Sequence, residues 1–247
     1  MIIHVYTLCY NEEIILPFFL RHYDFADRIF VYDNYSTDKS IEICNANPKV
    51  EVRQYDSGGE IRDDLYLKIK NNAWKQSRGI ADYVIVVDID EFLYSDNILQ
   101  KLSTISKTII EPNGYEMVSD EIPSGIEQIY NYIPNGATSP GHNKCVIFNP
   151  DAIQEINYRP GCHSCKPIGN IILHPPDGTF KLLHYKHLSV EYVIDRYRKF
   201  NERLSEFNIR NGYGIQYTYT ENQLRTYHSD IKKHAVNVID FNMKSIM

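Results

Sequence analysis

The 247 residues carry 26 Lys and Arg against 32 Asp and Glu, a formal charge of −6 that excludes a polybasic nucleic-acid binder. Apolar residues make up 43% of the chain and aromatics 13%, enough for one sizeable core and too much for a disordered chain. No apolar run nears the roughly 18 residues that cross a bilayer. Met1-Ile2-Ile3-His4 enters an expected strand with no basic n-region or cleavage site, so a cytoplasmic protein is expected. Five cysteines, Cys9, Cys44, Cys145, Cys162 and Cys165, are an odd number without framework spacing, which predicts reduced thiols.

In chain order, Ile2 to Cys9 is a β-branched, apolar run stopped by Asn11-Glu12-Glu13, the pattern of a buried strand followed by a polar loop. Ile15, Phe18, Phe19, His22 and Tyr23 recur at helical steps, and Pro17 places the helix start near Leu16. A second strand, Arg28 to Tyr32, ends in the capping and turn residues 33 to 38. A third strand (Val50 to Tyr55), a Gly58-Gly59 turn, a helix over about Ile61 to Ser77 and a fourth strand (Tyr83 to Val87) continue the alternation. The pattern predicts an α/β, mostly parallel sheet flanked by helices, with ligands outside the carboxyl ends of its strands.

Beyond Asp120, Pro and Gly recur so densely up to Asn143 that a mobile loop without long elements is expected. Lys144 to Phe148 reads as a strand. Ile171 to His174 and Phe180 to Tyr185, flanking Pro175-Pro176-Asp177-Gly178, read as a hairpin. Val193, Tyr197, Phe200, Leu204 and Phe207 step as one amphipathic helix in a C-terminal helical extension over 189–247.

The sharpest local feature is Val84-Ile85-Val86-Val87-Asp88-Ile89-Asp90-Glu91, a fully apolar strand that runs straight into three carboxylates. Burying unpaired carboxylates costs several kcal/mol each, so positive charge is expected beside them. Asp88 and Asp90 stand two apart and can face one cation, for which Mg2+ or Mn2+ suits hard oxygen ligands. A solvated strand end with a capping Asp is the alternative.

Three segments together resemble family 2-like glycosyltransferases of the GT-A fold, and are especially similar to the bacterial group related to family 92. They are Thr7-Leu8-Cys9-Tyr10-Asn11-Glu12-Glu13, Tyr32 to Asp38, and Asp88-Ile89-Asp90-Glu91-Phe92-Leu93. The match covers roughly residues 1 to 95, with a looser one over 140 to 215 through Gly161-Cys162-His163-Ser164 and Leu183-His184-Tyr185-Lys186. The resemblance implies a GT-A-like, Rossmann-like catalytic domain over 1–188, with a nucleotide-binding half (1–95) and an acceptor-binding half (96–188). It implies a nucleotide-diphosphate sugar donor, with Thr7, Tyr10, Asn11, Glu13, Asp33, Asn34, Asn72, Asp88 and Ile89 near it. Asp90, with Asp88, would hold Mn2+ or Mg2+, and the ion would stabilise the departing diphosphate.

His184 is the further metal ligand that the resemblance suggests, with His187 as fallback. The general base is left among His163, Asp120 and Glu121, His163 being preferred. Cys162-His163-Ser164-Cys165 with Cys145, His142 and His174 could hold zinc, although the Cys-x-x-Cys is single. Arg196, Lys199, Arg203 and Arg210 form a cationic stripe that could be a solvated face, or could hold a diphosphate or an anionic acceptor at the inner face of a membrane. The expected activity is metal-dependent sugar transfer to a glycan or lipid-linked glycan, with bacterial surface polysaccharide as the product by family analogy. A sugar nucleotidyltransferase and a non-catalytic nucleotide- or sugar-binding scaffold are the alternatives.

Overall fold

The computed structural model describes residues 1–239. Its first half alternates as the apolar runs require, through β1 (Ile3–Cys9), α1 (Leu16–His22), β2 (Arg28–Asp33), α2 (Ser40–Asn45), β3 (Val50–Gln54), α3 (Asp63–Asn72) and β4 (Tyr83–Val86). Pro17 stands in the first turn of α1, where a missing N–H breaks no hydrogen bond. Then come β5 (Glu91–Tyr94), α4 (Ile98–Thr104), β6 (Ile109–Ile110), β7 (Asn113–Val118), α5 (Ile129–Tyr132) and β8 (Asn135–Thr138). They are followed by β9 (Ile147–Phe148), β10 (Ile153–Glu155), β11 (Ile168–Gly169), β12 (Leu173–His174) and β13 (Lys181–His187). The chain closes with α6 (Val190–Glu202), α7 (Glu206–Asn211), α8 (Glu221–His234) and β14 (Val236–Asn237).

The main sheet has seven strands in the order β12-β6-β9-β4-β1-β2-β3. β1 pairs in parallel with β2 and β4, and β2 with β3, while β9 runs antiparallel to β4 and β6. Successive side chains alternate between two cores, which is why the strands are apolar throughout. Val5, Ile29, Val31 and Ile85 join Phe19 and Phe92 on one side. Tyr6, Phe30, Val84 and Val86 meet Trp74 and Phe148 on the other. The α/β, mostly parallel architecture expected from the alternation is therefore present.

A second, five-stranded sheet is ordered β14-β8-β7-β13-β5. Within it His184 stands opposite Glu91 on one side and Glu116 on the other, a polar row across three strands. The next row, Phe92, Leu183 and Tyr115, is apolar, so this sheet turns one face to the core and offers polar groups on the other.

Four expectations are corrected. The segments about Pro175–Gly178 are no hairpin, because β12 pairs in parallel with β6 in the first sheet and β13 belongs to the second. Residues 120 to 143 hold α5 and β8, and β8 pairs with β7, so backbone hydrogen bonds fix part of the segment expected to be a mobile loop. The helix expected from Val193 to Phe207 breaks at 203–205, where Ser205 accepts from the Asn208 N–H and starts α7. The stretch 61–77 likewise divides into α3 and a 3-10 turn, Ala73–Ser77. All five thiols are free.

Candidate active site

A cavity of about 240 Å³ opens at the carboxyl ends of β1 and β4, between Tyr10, Asp88 to Asp90, Lys70 from α3 and Arg196 from α6. Its position follows from the topology, since parallel strands deliver their polar loops to one edge. β4 stops at Val86, and the chain turns through Asp88 and Asp90 into β5 of the second sheet. The acidic triplet thus lies where the two sheets meet.

Every member of that triplet is compensated by side-chain cations. Asp88 takes a hydrogen bond from Lys70 Nζ and lies 3.7 Å from Lys144 Nζ. Burial works against its charged form, and Lys70 and then Lys144 overcome this and hold the carboxyl below its ordinary value. Asp90 Oδ2 lies 3.2 Å from Arg196 Nη2 and 3.5 Å from His184 Nε2. Against the same burial, Arg196 and then His184 keep Asp90 ionised well below the usual carboxylate range. Glu91 accepts from Lys144 Nζ through Oε1 and from the Asp88 N–H through Oε2, at 2.9 Å in the second case. The expectation that positive charge must sit beside these carboxylates holds, but ammonium and guanidinium groups supply it.

Those partners bear on the expected dication. Asp88 faces two ammonium groups and Asp90 a guanidinium and an imidazole. Neither presents an open, uncompensated pair of oxygens, so Asp88 and Asp90 do not fit as a shared Mg2+ or Mn2+ seat. Arg196 closes the network by donating to Glu12 Oε1 at 2.7 Å.

The cavity also holds cations without carboxylate partners. Lys186 lies over the Tyr197 ring at 4.7 Å, and burial lowers its pKa. Arg203 covers the Tyr10 ring at 3.2 Å and donates 2.8 Å to the Gly59 carbonyl. No ion pair engages either among the described residues.

Of the residues expected near the donor, Tyr10, Asp88 and Ile89 line the cavity, as do Asp90, His163 and His184. Thr7 is buried within β1, 2% exposed. Asn11 and Glu13 are spent on the neighbouring loop. Asn11 has φ 54° and accepts from the Thr37 N–H at 2.7 Å, and Glu13 accepts from the Lys39 N–H at 3.2 Å. Asp33 accepts from the Ser36 hydroxyl at 2.5 Å and from the Ser36 N–H at 3.1 Å, and Asn34 is bonded to Ser57 at 2.8 Å. Asn72 sits on the outer face of α3 and donates 2.8 Å to the Lys68 carbonyl. Asn11, Glu13 and Asn34 hold loops together, Asp33 bonds within its own loop and Asn72 within its helix, and none of the five lines the cavity.

Asp120 is paired with Lys232 at 2.6 Å on the surface, and Glu121 is exposed beside it. Neither reaches the cavity, which leaves His163. A carbonyl can only accept, so the 2.6 Å contact between His163 Nδ1 and Gly141 O places the proton on Nδ1 and leaves Nε2 as an acceptor. A Cβ on Gly161 would stand 2.5 Å from the His163 ring, so glycine is needed there. His187 is fully buried, 3.7 Å from Glu116 Oε2, and stands outside the cavity. The zinc constellation does not assemble either among the described residues, with His174 paired to Asp177 at 3.4 Å. The cationic stripe divides, for Lys199 and Arg210 make exposed pairs with Asp195 (2.7 Å) and Glu206 (2.6 Å) while Arg196 and Arg203 turn inward.

Lys70, Lys144 and Glu116 are given no role by the sequence, Glu12 and Lys186 stand in its motifs without one, and His142 is read only as a member of the zinc set. Lys70 left one usable signal: it lies on the helix that precedes β4, where an apolar strand demands a partner for its terminal carboxylates.

No protein-family model matches the chain, and no curated protein does. Among solved structures it is similar to a 4-diphosphocytidyl-2C-methyl-D-erythritol synthase at 14% identity and TM-score 0.36, covering 62% of this chain and 77% of that one. It is similar also to the synthase of that name from Anaerococcus prevotii, at 10% identity and TM-score 0.36, covering 60% and 70%. Among the described residues no helix is long and apolar enough to cross a membrane.

Proposed function

We propose that the cavity binds a nucleoside-diphosphate sugar and transfers its sugar to a hydroxyl of a glycan or lipid-linked glycan. The observation that carries this reading is the gathering of Lys70, Lys144, Lys186 and Arg196 around Asp88 and Asp90 at the carboxyl ends of β1 and β4. Cations buried at a sheet edge and held by fixed carboxylates are preorganised for a polyphosphate.

In this reading Lys186, which has no carboxylate to release, and Lys144 meet the diphosphate. Charge that develops on the leaving oxygen is stabilised by groups that need not reorganise. Asp88 and Asp90 act as positioning residues for Lys70, Lys144 and Arg196. His163 Nε2 takes the proton of the acceptor hydroxyl as the acceptor oxygen bonds the anomeric carbon and the diphosphate departs with the electron pair of the broken bond.

A sugar nucleotidyltransferase would use the same cations on a triphosphate. It is the second reading, and the one nearer to the names of the two similar structures. Products separate the two. With UDP-, GDP- and CMP-sugars plus an oligosaccharide acceptor, glycosyl transfer releases nucleotide and extends the acceptor. With a nucleoside triphosphate and a sugar phosphate, nucleotidyl transfer releases pyrophosphate. Pyrophosphate release alone would move the assignment to the second reading, and neither product would leave a binding scaffold.

A further inference from the structure

We propose that Glu116, His142 and His184 seat a first-row transition-metal dication beside the same cavity, through donors other than Asp88 and Asp90. This seat stands whether or not the chain transfers sugar, because it is argued from the donors alone. One donor atom from each residue lies within 4.8 Å of the other two. Two imidazoles and one carboxylate suit Zn2+, Co2+, Mn2+ or Fe2+ and disfavour Mg2+, which takes oxygen ligands.

Separate parts of the fold build the set. β7 and β13 pair in parallel with Glu116 opposite His184, so both project from the same face. His142 arrives on a 3-10 turn, Pro140–His142, that lies directly on β7. A Cβ on Gly114 would come 2.5 Å from the His142 carbonyl carbon and 2.6 Å from its Cβ, so only glycine lets the turn approach so closely. The His142 and His184 rings end 4.6 Å apart, centroid to centroid.

His184 supplies the second, independent sign. It is 8% exposed, and its Nε2 faces the Asp90 carboxylate at 3.5 Å. Its Nδ1 is buried with no hydrogen-bond partner. With Nε2 directed at the Asp90 carboxylate, Nδ1 is the ring nitrogen left without a partner, and a buried nitrogen without one is what a Lewis acid satisfies. The other ligands are held from behind as metal ligands usually are. Tyr227 OH donates 2.8 Å to Glu116 Oε2 and so leaves Oε1 as the second carboxylate oxygen, and Ser139 Oγ lies 2.8 Å from His142 Nδ1, which leaves Nε2 as the donor of that ring.

The test is titration of the EDTA-treated full chain with Co2+, followed by visible absorption and calorimetry, with Mg2+ alongside. One Co2+ per chain, displaced by Zn2+ and not by Mg2+, is expected. His142→Ala and Glu116→Gln should each weaken Co2+ binding by about tenfold or more, while Asp88→Asn should leave it within about twofold. His142→Gln replaces His142→Ala if circular dichroism shows that the latter does not fold. Absence of saturable Co2+ binding, equal affinity for Mg2+, binding undiminished in the folded His142 variant, or loss of binding in Asp88→Asn would each overturn the proposal.

Discussion

Arg196 Nη2 stands 3.2 Å from Asp90 Oδ2 and thereby ties the helix that follows the second sheet to the loop at the tip of β4. The same nitrogen bonds Glu12 at 2.7 Å. Arg196 and both carboxylates are buried, with side-chain exposures of 13%, 8% and 8%. Removing the guanidinium strands the Asp90 carboxylate in a low dielectric, whereas burial pushes the Glu12 carboxyl up to about 8 and leaves it largely protonated at pH 7. Arg196→Met should therefore lower the unfolding free energy by about 3 to 5 kcal/mol, measured by urea titration at pH 7, and Arg196→Lys should recover part of it. An unchanged midpoint in Arg196→Met would show that the network carries no stability.

Lys186 behaves oppositely, because no carboxylate loses a partner when it goes. Lys186→Met is expected to leave the urea midpoint unchanged or raised. It should weaken nucleoside-diphosphate binding roughly ten- to hundredfold, the worth of one charge-assisted hydrogen bond. Fluorescence or calorimetric titration gives the affinity, and a variant that binds as well as the parent removes Lys186 from the phosphate site.

His163 is assigned the acceptor proton, so its loss should appear in turnover and not in donor affinity. His163→Ala is expected to lower kcat by roughly a hundredfold or more with the donor KM little changed. Steady-state kinetics across donor concentrations checks it, and an unaltered kcat would return the search for a base to its start.

Burial governs the acid limb of stability through His22. Packed against Tyr23 and Phe92 and bonded to the Leu93 carbonyl at 3.0 Å, its imidazole is pushed down to about 4 from an ordinary 6.5. Above pH 6.5 the ring is neutral in both folded and unfolded chains, and its contribution is intact. As pH falls from 6.5 to 4 the unfolded chain takes up a proton that the folded one refuses, so stability drops by about 3 kcal/mol. Urea unfolding at several pH values should show His22→Phe losing less stability over that window than the parent. Parallel acid limbs would contradict the assignment.

How far the fold could be read in advance depended on the range of the interactions. β1 to β4 and the helices between them follow from local apolar runs and turn residues, and the structure reproduces them to within a residue or two at the strand ends. Leu173–His174 and Lys181–His187 look like two arms of one turn, yet the turn hands the chain from one sheet to the other, and nothing local encodes that. The demand for positive charge beside Asp88 and Asp90 was legible from burial alone. Its source was not, because Lys70, Lys144 and Arg196 come from three separate segments. Glu116 and His142 meet His184 only through the β7–β13 register and the bare backbone of Gly114. Asn11, Asp33 and Asn34 stand in motifs that resemble nucleotide-binding signatures, yet the Asn11 and Asn34 side chains hold adjoining loops to one another and Asp33 bonds within its own loop.

The central claim, that buried cations at the ends of β1 and β4 receive a nucleoside diphosphate, is tested most directly by calorimetric titration of the wild-type chain with UDP, GDP and CDP beside Lys186→Met. Saturable heat at one ligand per chain, for at least one of the three nucleotides and strongly reduced in the variant, is the predicted result. No saturable heat with any of them, or equal affinity in both proteins, would contradict it.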